Sequence, residues 1–148
     1  MAMPGKRKSA EKVRRGHSFI HNVNTKITAL MKTTKEYKLG ATVLINEHDL
    51  ILTVIYFNFP TSSVGYLKVQ VRYNGQLILP YTKIMDIKKM KADGIAITDY
   101  IESSDIPSIE YINLKLRKGD RLEVWYQNSH TQTNLTFQTE FEIERIEE

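Results

Sequence analysis

Four histidines are the residues best suited to acid–base or metal chemistry. His17 and His21 are four residues apart and would share one face of a helix. Two histidines without further ligands rarely hold zinc, so this pair does not predict a metal site. His48 precedes Asp49 in a predicted turn, where the two side chains are explained more simply as solvated loop residues.

The last segment of the chain carries Glu140, Glu142 and Glu144 at every second position. In a strand this spacing puts the three carboxylates on one solvent-facing side. The chain has no cysteine, which excludes thiolate chemistry, and no glycine-rich loop before a helix, which leaves phosphate binding unsupported. We therefore predict no catalytic residue, no metal site and no cofactor, and a protein that is not an enzyme.

The N-terminal part of the chain is strongly basic, whereas the rest is mildly acidic. Residues 1–38 contain ten Lys and Arg against two Glu, a net charge of +8, and residues 39–148 contain eleven against fifteen acids, a net charge of −4. Such asymmetry predicts a basic arm over residues 1–40 that meets an anionic partner, either nucleic acid or an acidic protein surface. A solvated tail is the alternative. The cations that would make the contact are Lys6, Arg7, Lys8, Lys12, Arg14 and Arg15.

The arm contains an apolar segment over residues 19–31 whose secondary structure the sequence leaves open. Its apolar residues fit helical spacing, and a subset of them also fits the alternation of a strand. We favour a short helix whose apolar face is covered by the body of the chain or by a neighbouring subunit. The residues of this predicted anchor are Phe19, Ile20, Val23, Ile27, Leu30 and Met31.

Residues 41–148 have the pattern of a β domain. Asn74-Gly75 between two alternating segments is the strongest short hairpin signal, and residues 81–93 are compatible with a helical turn or a crossover. About eight short strands with turn signals between them predict an all-β sandwich or barrel. The predicted strands are 41–45, 49–57, 66–73, 76–79, 94–101, 108–116, 121–128 and 134–146.

The most regular alternation flanks a turn at residues 118–120. Gly119 supplies the positive φ of a short turn, so we predict a hairpin between the two flanking strands. Trp125 falls on the face opposite Leu122 and Val124, and we expect it to point outward as a possible surface contact. Its ring would then touch a partner or a sugar, or be covered by another part of the chain.

This stretch resembles the last strands of compact jelly-roll domains, such as those of viral capsid and decoration proteins, head fibres and trimeric domains of the tumour-necrosis-factor type. The residues that carry the resemblance are Leu114, Leu116, Gly119, Asp120, Leu122 and Val124. A basic arm ahead of an eight-stranded body is also similar to small viral capsid and cement proteins. The resemblance implies an eight-stranded, jelly-roll-like β-sandwich at residues 41–148, with the extended N-terminal arm under neighbouring subunits or directed toward packaged nucleic acid.

The function that this resemblance implies is that of a structural virion protein, a minor capsid, decoration or cement subunit. Its partners would be other capsid or structural subunits, including copies of itself, for example in a trimer. No part of the sequence approaches the ~18 apolar residues of a membrane span. Two alternatives remain: a nucleic-acid-associated protein that binds through the arm, cytoplasmic if it is not viral, and a carbohydrate- or receptor-binding module that uses Trp125.

Overall fold

The computed structural model describes residues 20–79 and 99–146, together with Lys89 and residues 92–94. Within these residues the chain forms nine β-strands and a 3-10 helix at Thr61–Ser63, so the all-β prediction is confirmed. The strands are β1 (Ile20–Ala29), β2 (Lys38–Leu44), β3 (Leu50–Asn58), β4 (Leu67–Tyr73), β5 (Gln76–Leu79), β6 (Ile101–Glu102), β7 (Ser108–Leu116), β8 (Arg121–Asn128) and β9 (Leu135–Arg145).

The strands form two antiparallel sheets. The first sheet has the order β1-β9-β3-β7, and the second has the order β2-β8-β4-β5, with the short β6 also paired to β4. The chain passes from one sheet to the other after β1, β2, β3, β6, β7 and β8. Most strands that are consecutive in sequence therefore lie in different sheets. Each sheet therefore needs the inward side chains of the other to cover its apolar face.

The hairpin predicted at Asn74-Gly75 is confirmed. These two residues join β4 to β5 and have φ angles of 49° and 88°, the left-handed region that a two-residue hairpin turn requires. Of residues 81–93, where a helical turn or a crossover was expected, the described part is Lys89 and residues 92–93. There the Asp93 N–H donates to the Lys89 carbonyl at 2.9 Å, which is one helical turn.

The hairpin predicted around Gly119 is wrong, although both of its strands exist. β7 pairs with β3 in the first sheet and β8 pairs with β2 and β4 in the second, so the turn carries the chain between the sheets. Leu116 and Leu122 consequently reach the core from opposite sides. The turn is held by the link between β2 and β3: the Gly119 N–H donates to the carbonyl of Ile45, and the Ile45 N–H donates to the carbonyl of Asp120, both at 2.8 Å.

The helix favoured over residues 19–31 is also wrong, because Ile20–Ala29 is a strand paired with β9 along its whole length. Ile27 lies opposite Phe137, and Ala29 lies opposite Leu135; all four side chains are buried. Strand geometry buries alternate residues of this segment against the core and places the polar residues between them outside.

Residues 20–44 therefore contribute two strands to the sheets, although residues 20–40 were assigned to the arm. β1 is one edge of the first sheet, and β2 is one edge of the second. The described part of the β body thus begins at Ile20. What remains of the predicted arm, residues 1–19, lies outside the described residues.

The core lies between the sheets and is built from the inward residues of both. Three phenylalanines form its centre, since Phe57, Phe137 and Phe141 are almost completely buried. The ring of Phe59 stacks on Phe57 at 5.8 Å and meets Phe137 at 5.6 Å. The aliphatic side chains packed around them include Leu52, Ile55, Leu67, Val69, Val71, Leu116, Leu122 and Val124. This continuous core fixes which side chains face outward on each sheet.

Candidate interaction surfaces

The predicted basic residues Lys6, Arg7, Lys8, Lys12, Arg14 and Arg15 lie outside the described residues, as does Phe19. The chain that carries them joins the fold at Ile20, whose backbone pairs with Glu144 at the end of β9. The basic segment is therefore connected to an edge strand of the first sheet.

The predicted apolar anchor does not form one surface. Ile27 is in the core, and the half-buried Val23 packs against it, so both cover the body of their own chain. Leu30 and Met31 follow β1 and are exposed. Of Ile20 only the strand backbone is described. The anchor residues that remain free for a partner in the described part are thus Leu30 and Met31.

Trp125 points outward from the second sheet, as the alternation of β8 predicts. It lies between the buried Val124 and Tyr126, and its own side chain is half-buried. The guanidinium carbon of Arg72 is 4.2 Å from the centroid of the indole ring, and the indole N–H donates to Glu123 Oε1 at 3.2 Å. The ring therefore has a cation over one face and a carboxylate at its edge.

Arg72 and Trp125 belong to a larger aromatic cluster, which we define as Tyr37, Gln70, Arg72, Tyr100 and Trp125. The Arg72 side chain donates twice to Gln70 Oε1, from Nε at 3.1 Å and from Nη2 at 2.8 Å. The same guanidinium lies 5.9 Å from the ring of Tyr37. Gln70 is only 4% exposed, so its carbonyl depends on Arg72 for a partner.

The aromatic cluster also fixes the chain that enters β6. Gln70 Nε2 donates to the carbonyl of Asp99 at 2.7 Å, and Lys68 Nζ lies 4.6 Å from the ring of Tyr100. Burial, followed by the negative charge of Asp99, raises the pKa of Tyr37 to about 12. That phenol consequently stays protonated near neutral pH. The cluster offers hydrogen-bonding and stacking groups, and it presents no activated nucleophile.

Sequence reasoning missed the aromatic cluster because its members come from different strands. The signal was present only in part: the alternation of β4 puts Gln70 and Arg72 on one face. Their position beside Trp125 depends on the register between β4 and β8, in which Gln70 is opposite Trp125 and Arg72 is opposite Glu123. No local pattern specifies that register.

The outer side of the first sheet combines carboxylates with exposed apolar side chains. Glu140 and Glu142 of β9 lie opposite Tyr56 and Val54 of β3, and these in turn lie opposite Ile109 and Tyr111 of β7. Tyr111 is 80% exposed and Ile109 is 48% exposed. We call this set, which includes the buried Val54, the acidic face: Val54, Tyr56, Ile109, Tyr111, Glu140 and Glu142. Partial burial, and next the charge of Glu142, raise the pKa of Tyr56.

A basic groove of about 500 Å³ lies in the link between β1 and β2. Three exposed lysines line it, Lys32, Lys35 and Lys38, together with the carboxylate of Glu36. The link that forms the groove is attached to the loop between β8 and β9, because the Lys32 N–H donates to the carbonyl of His130 at 2.9 Å. Three lysines against one glutamate make this groove basic.

A second polar depression lies at the opposite end, beside the loop at residues 46–49. Glu47 and Arg145 form an ion pair there, and Lys118 completes the rim. Across the part of the chain that the structure describes, no three His, Asp or Glu side chains are grouped so as to hold a metal ion. The same residues include no helix with the length and apolar character needed to cross a membrane.

Comparison of the chain with protein-family models, with curated proteins and with solved structures finds no match in any of the three. A function for this chain has to come from its own charges, strand order and surfaces. The features available are the basic N-terminal segment, the aromatic cluster, the acidic face and the basic groove.

Proposed function

We propose that this chain is a structural subunit of a virus or phage particle, of the minor capsid, decoration or cement type, and that its basic N-terminal segment anchors it to neighbouring subunits. In this role the protein is located in the virion. Its body is a jelly-roll β-sandwich, and it associates with copies of itself or with other capsid subunits.

The observation that carries this proposal is the nested order of strand pairs. β4 pairs with β5, β3 with β7, β2 with β8 and β1 with β9, so the first strand meets the last and each inner pair lies within the next outer one. One long hairpin rolled into two sheets produces this nesting, and it is the arrangement expected of a jelly roll. Viral capsid domains are prominent among jelly rolls, although the fold by itself hosts other functions.

The position and charge of the N-terminal segment add support. Residues 1–19 carry six Lys and Arg against one Glu, a net charge of +5. The segment is attached to Ile20 at the start of the edge strand β1. A segment attached there can contact a neighbour without disturbing the core.

Because β1 is part of the fold, the test has to use substitutions in the basic segment and not a deletion of residues 1–38. Removal of residues 1–38 would delete β1 together with Ile27 and Ala29, which are part of the core. A full-length variant with Gln in place of the six cations between Lys6 and Arg15 leaves the sheets intact. We expect the unmodified chain to sediment as a trimer or larger assembly and the variant to shift toward the monomer. A full-length chain that stays monomeric at all concentrations excludes the proposal.

The nucleic-acid alternative has one specific observation in its favour, the basic groove at Lys32, Lys35 and Lys38. Binding of a single-stranded oligonucleotide should then weaken steeply with salt, because each neutralised phosphate releases counterions. Replacement of the three lysines by Gln should reduce the slope of log affinity against log salt by about two units, at ~0.7 per phosphate contact. An unchanged slope removes the groove from consideration.

The carbohydrate-binding alternative has less support. A sugar stacks on an open aromatic ring, and the outward ring of Trp125 has Arg72 above it at 4.2 Å. That guanidinium is in turn held by Gln70, so uncovering the indole would leave a buried amide without its partner.

A further inference from the structure

Within the part of the chain that the structure describes, the two carboxylates of the acidic face have no cation directly opposite them. Glu140 lies opposite Asn24 and Tyr56, and Glu142 lies opposite Asn22 and Val54, so no direct cross-strand neighbour is positively charged. Neither glutamate forms an ion pair within the described residues. Two cations of the described strands on the same side of the sheet have other direct partners, since Lys26 is opposite Gln138 and Lys115 is opposite Ile51.

The placement of these glutamates in the middle of the sheet is unfavourable for an isolated subunit. They occupy successive outward positions of β9, about 7 Å apart along the strand, where like charges repel. On the other side of β3, Ile109 and Tyr111 expose apolar surface at the edge strand β7. A partner with cations and aliphatic stems would neutralise the two carboxylates and cover the exposed apolar surface.

Arginine and lysine have this chemistry. A guanidinium can bind a carboxylate through two hydrogen bonds while its plane stacks on a tyrosine ring, and a lysine stem covers apolar surface while its ammonium reaches an acid. The acidic face offers two carboxylates beside Tyr56 of β3, with the exposed ring of Tyr111 one strand further away on β7. It therefore suits a basic peptide.

The chain carries such a peptide in residues 6–15, which contain six cations and Glu11 as the single acid. Lys6 and Lys8, and likewise Lys12 and Arg14, are two residues apart. In an extended chain this spacing is also about 7 Å, the separation of Glu140 and Glu142 along β9. The ten residues span about 33 Å when extended, which is enough to cross the sheet or to follow β9.

The direction of β1 favours a neighbouring copy as the source of the peptide. β1 is antiparallel to β9, with Ile20 opposite Glu144, so the basic segment is attached at the Glu144 end of β9, whereas Glu142 and Glu140 lie further along β1, opposite Asn22 and Asn24. Contact within one chain would require the segment to turn back over its own sheet. We propose that the acidic face of one subunit binds residues Lys6–Arg15 of a neighbouring copy. This inference rests on the proposed function, because it names the surface to which the N-terminal segment attaches.

The absence of natural cysteine makes disulfide mapping a direct test. One full-length variant carries Ser9→Cys, which keeps every charge of the basic segment, and a second, of different tag length, carries Tyr111→Cys. Mixed under mild oxidation, they should form the mixed disulfide. The matched control is Leu44→Cys, which is 56% exposed on the outer side of the second sheet and should give about a tenth of that yield.

The charges are tested with Glu140→Gln and Glu142→Gln in the Tyr111→Cys chain. We expect the yield of mixed disulfide with Ser9→Cys to fall about tenfold, because each lost exposed ion pair is worth roughly a factor of three. The control pair Glu36→Gln and Asp105→Asn makes the same change of net charge at exposed positions elsewhere and should leave the yield within about twofold.

The outcomes separate this inference from the proposed function. Equal cross-linking to Tyr111→Cys and Leu44→Cys overturns the docking surface. So does a disulfide that forms only within a chain carrying both Ser9→Cys and Tyr111→Cys. If the six-Gln segment variant becomes monomeric while the Glu140→Gln and Glu142→Gln chain still assembles, the segment anchors elsewhere and only this inference fails. If the six-Gln variant assembles normally, the proposed function fails.

Discussion

The guanidinium of Arg72 lies over the indole of Trp125, 4.2 Å from the ring centroid, and is held there by two hydrogen bonds to Gln70. This contact joins two neighbouring strands on the outside of the second sheet. It turns an outward tryptophan, expected to be a surface contact, into one layer of a packed cluster. Trp125 is half-buried, so the cluster remains part of the molecular surface.

We predict that Arg72→Ala lowers the free energy of unfolding by about 1–3 kcal/mol. Loss of the cation–π contact accounts for about 0.5–1 kcal/mol, and the unpaired carbonyl of the buried Gln70 accounts for the rest. Urea denaturation followed by tryptophan fluorescence measures it, since Trp125 is the single tryptophan of the chain. Arg121→Ala, at an exposed position on the same strand as Trp125, should change stability by less than about 0.5 kcal/mol. Equal effects of the two substitutions would contradict the prediction.

A second prediction concerns acid stability and the turn between β7 and β8. Tyr73 donates to Asp120 Oδ2 at 2.6 Å, and the Arg117 N–H donates to the same oxygen at 2.8 Å. Burial raises the pKa of Asp120, but the hydrogen bonds from Tyr73, the Arg117 backbone and Asn74 outweigh it and leave this pKa below its ordinary value. The ionised carboxylate is therefore favoured by folding.

Because the folded pKa is below the unfolded value of about 3.9, this stabilisation is present above that pH and is lost as the pH falls through the folded pKa. Tyr73→Phe removes one donor, so Asp120 should titrate at a higher pH in the folded state. We expect a loss of about 1 kcal/mol at pH 7 and a shallower fall of stability between pH 4 and pH 2. Denaturation at a series of pH values measures both. Tyr111→Phe, at an exposed ring, is the control, and parallel pH profiles for Tyr73→Phe and the parent would refute the assignment.

The strands were predictable from sequence because alternation along a strand depends only on which faces are buried. Burial alternates along β8 and β9, apolar and polar residues alternate in the sequence of β4, and Asn74-Gly75 needs positive φ at both positions, so these elements were placed correctly. β1 was missed because its apolar residues satisfy both periodicities. Only its pairing with β9, far along the chain, decides between them.

The partners of the strands could not be predicted, for a related reason. The pattern of β7 and β8 is the same whether the two strands pair with each other or lie in opposite sheets. β7 and β8 lie in different sheets because β7 pairs with β3 and β8 pairs with β2, and because the backbone of Ile45 binds the turn between them. The candidate surfaces could not be predicted either, because cross-strand register places Arg72 over Trp125 and Glu140 beside Tyr56.

A third prediction tests the close approach of β1 to β2 at Gly40. A Cβ at this position would lie 2.7 Å from Ile27 Cγ2 and 3.3 Å from the carbonyl oxygen of Val124. Gly40→Ala should therefore destabilise the protein by about 1–3 kcal/mol through overpacking. Ile27→Ala removes the contacted methyl group, so the penalty of Gly40→Ala should shrink in that background. Additive effects in this double-mutant cycle would show that Ile27 is not what excludes a side chain at Gly40.

A fourth prediction concerns Thr139, whose fully buried hydroxyl is the one buried side-chain polar atom among the described residues without a hydrogen-bond partner. Thr139 faces the core from β9, opposite Phe57 on one side and Thr25 on the other. A buried hydroxyl that binds nothing costs about 1–3 kcal/mol, and valine has nearly the same shape without that group. Thr139→Val should therefore raise the free energy of unfolding by about 1–2 kcal/mol.

Chemical denaturation of Thr139→Val beside Thr42→Val measures this effect. Thr42 is exposed on the edge strand β2, so valine there gains nothing from burial and should change stability by less than about 0.5 kcal/mol. A loss of stability in Thr139→Val would mean that the hydroxyl has a partner in the folded protein, since removing a satisfied buried donor leaves the other group unpaired. A gain of stability in Thr139→Val alone would show that the buried hydroxyl of Thr139 destabilises the folded protein.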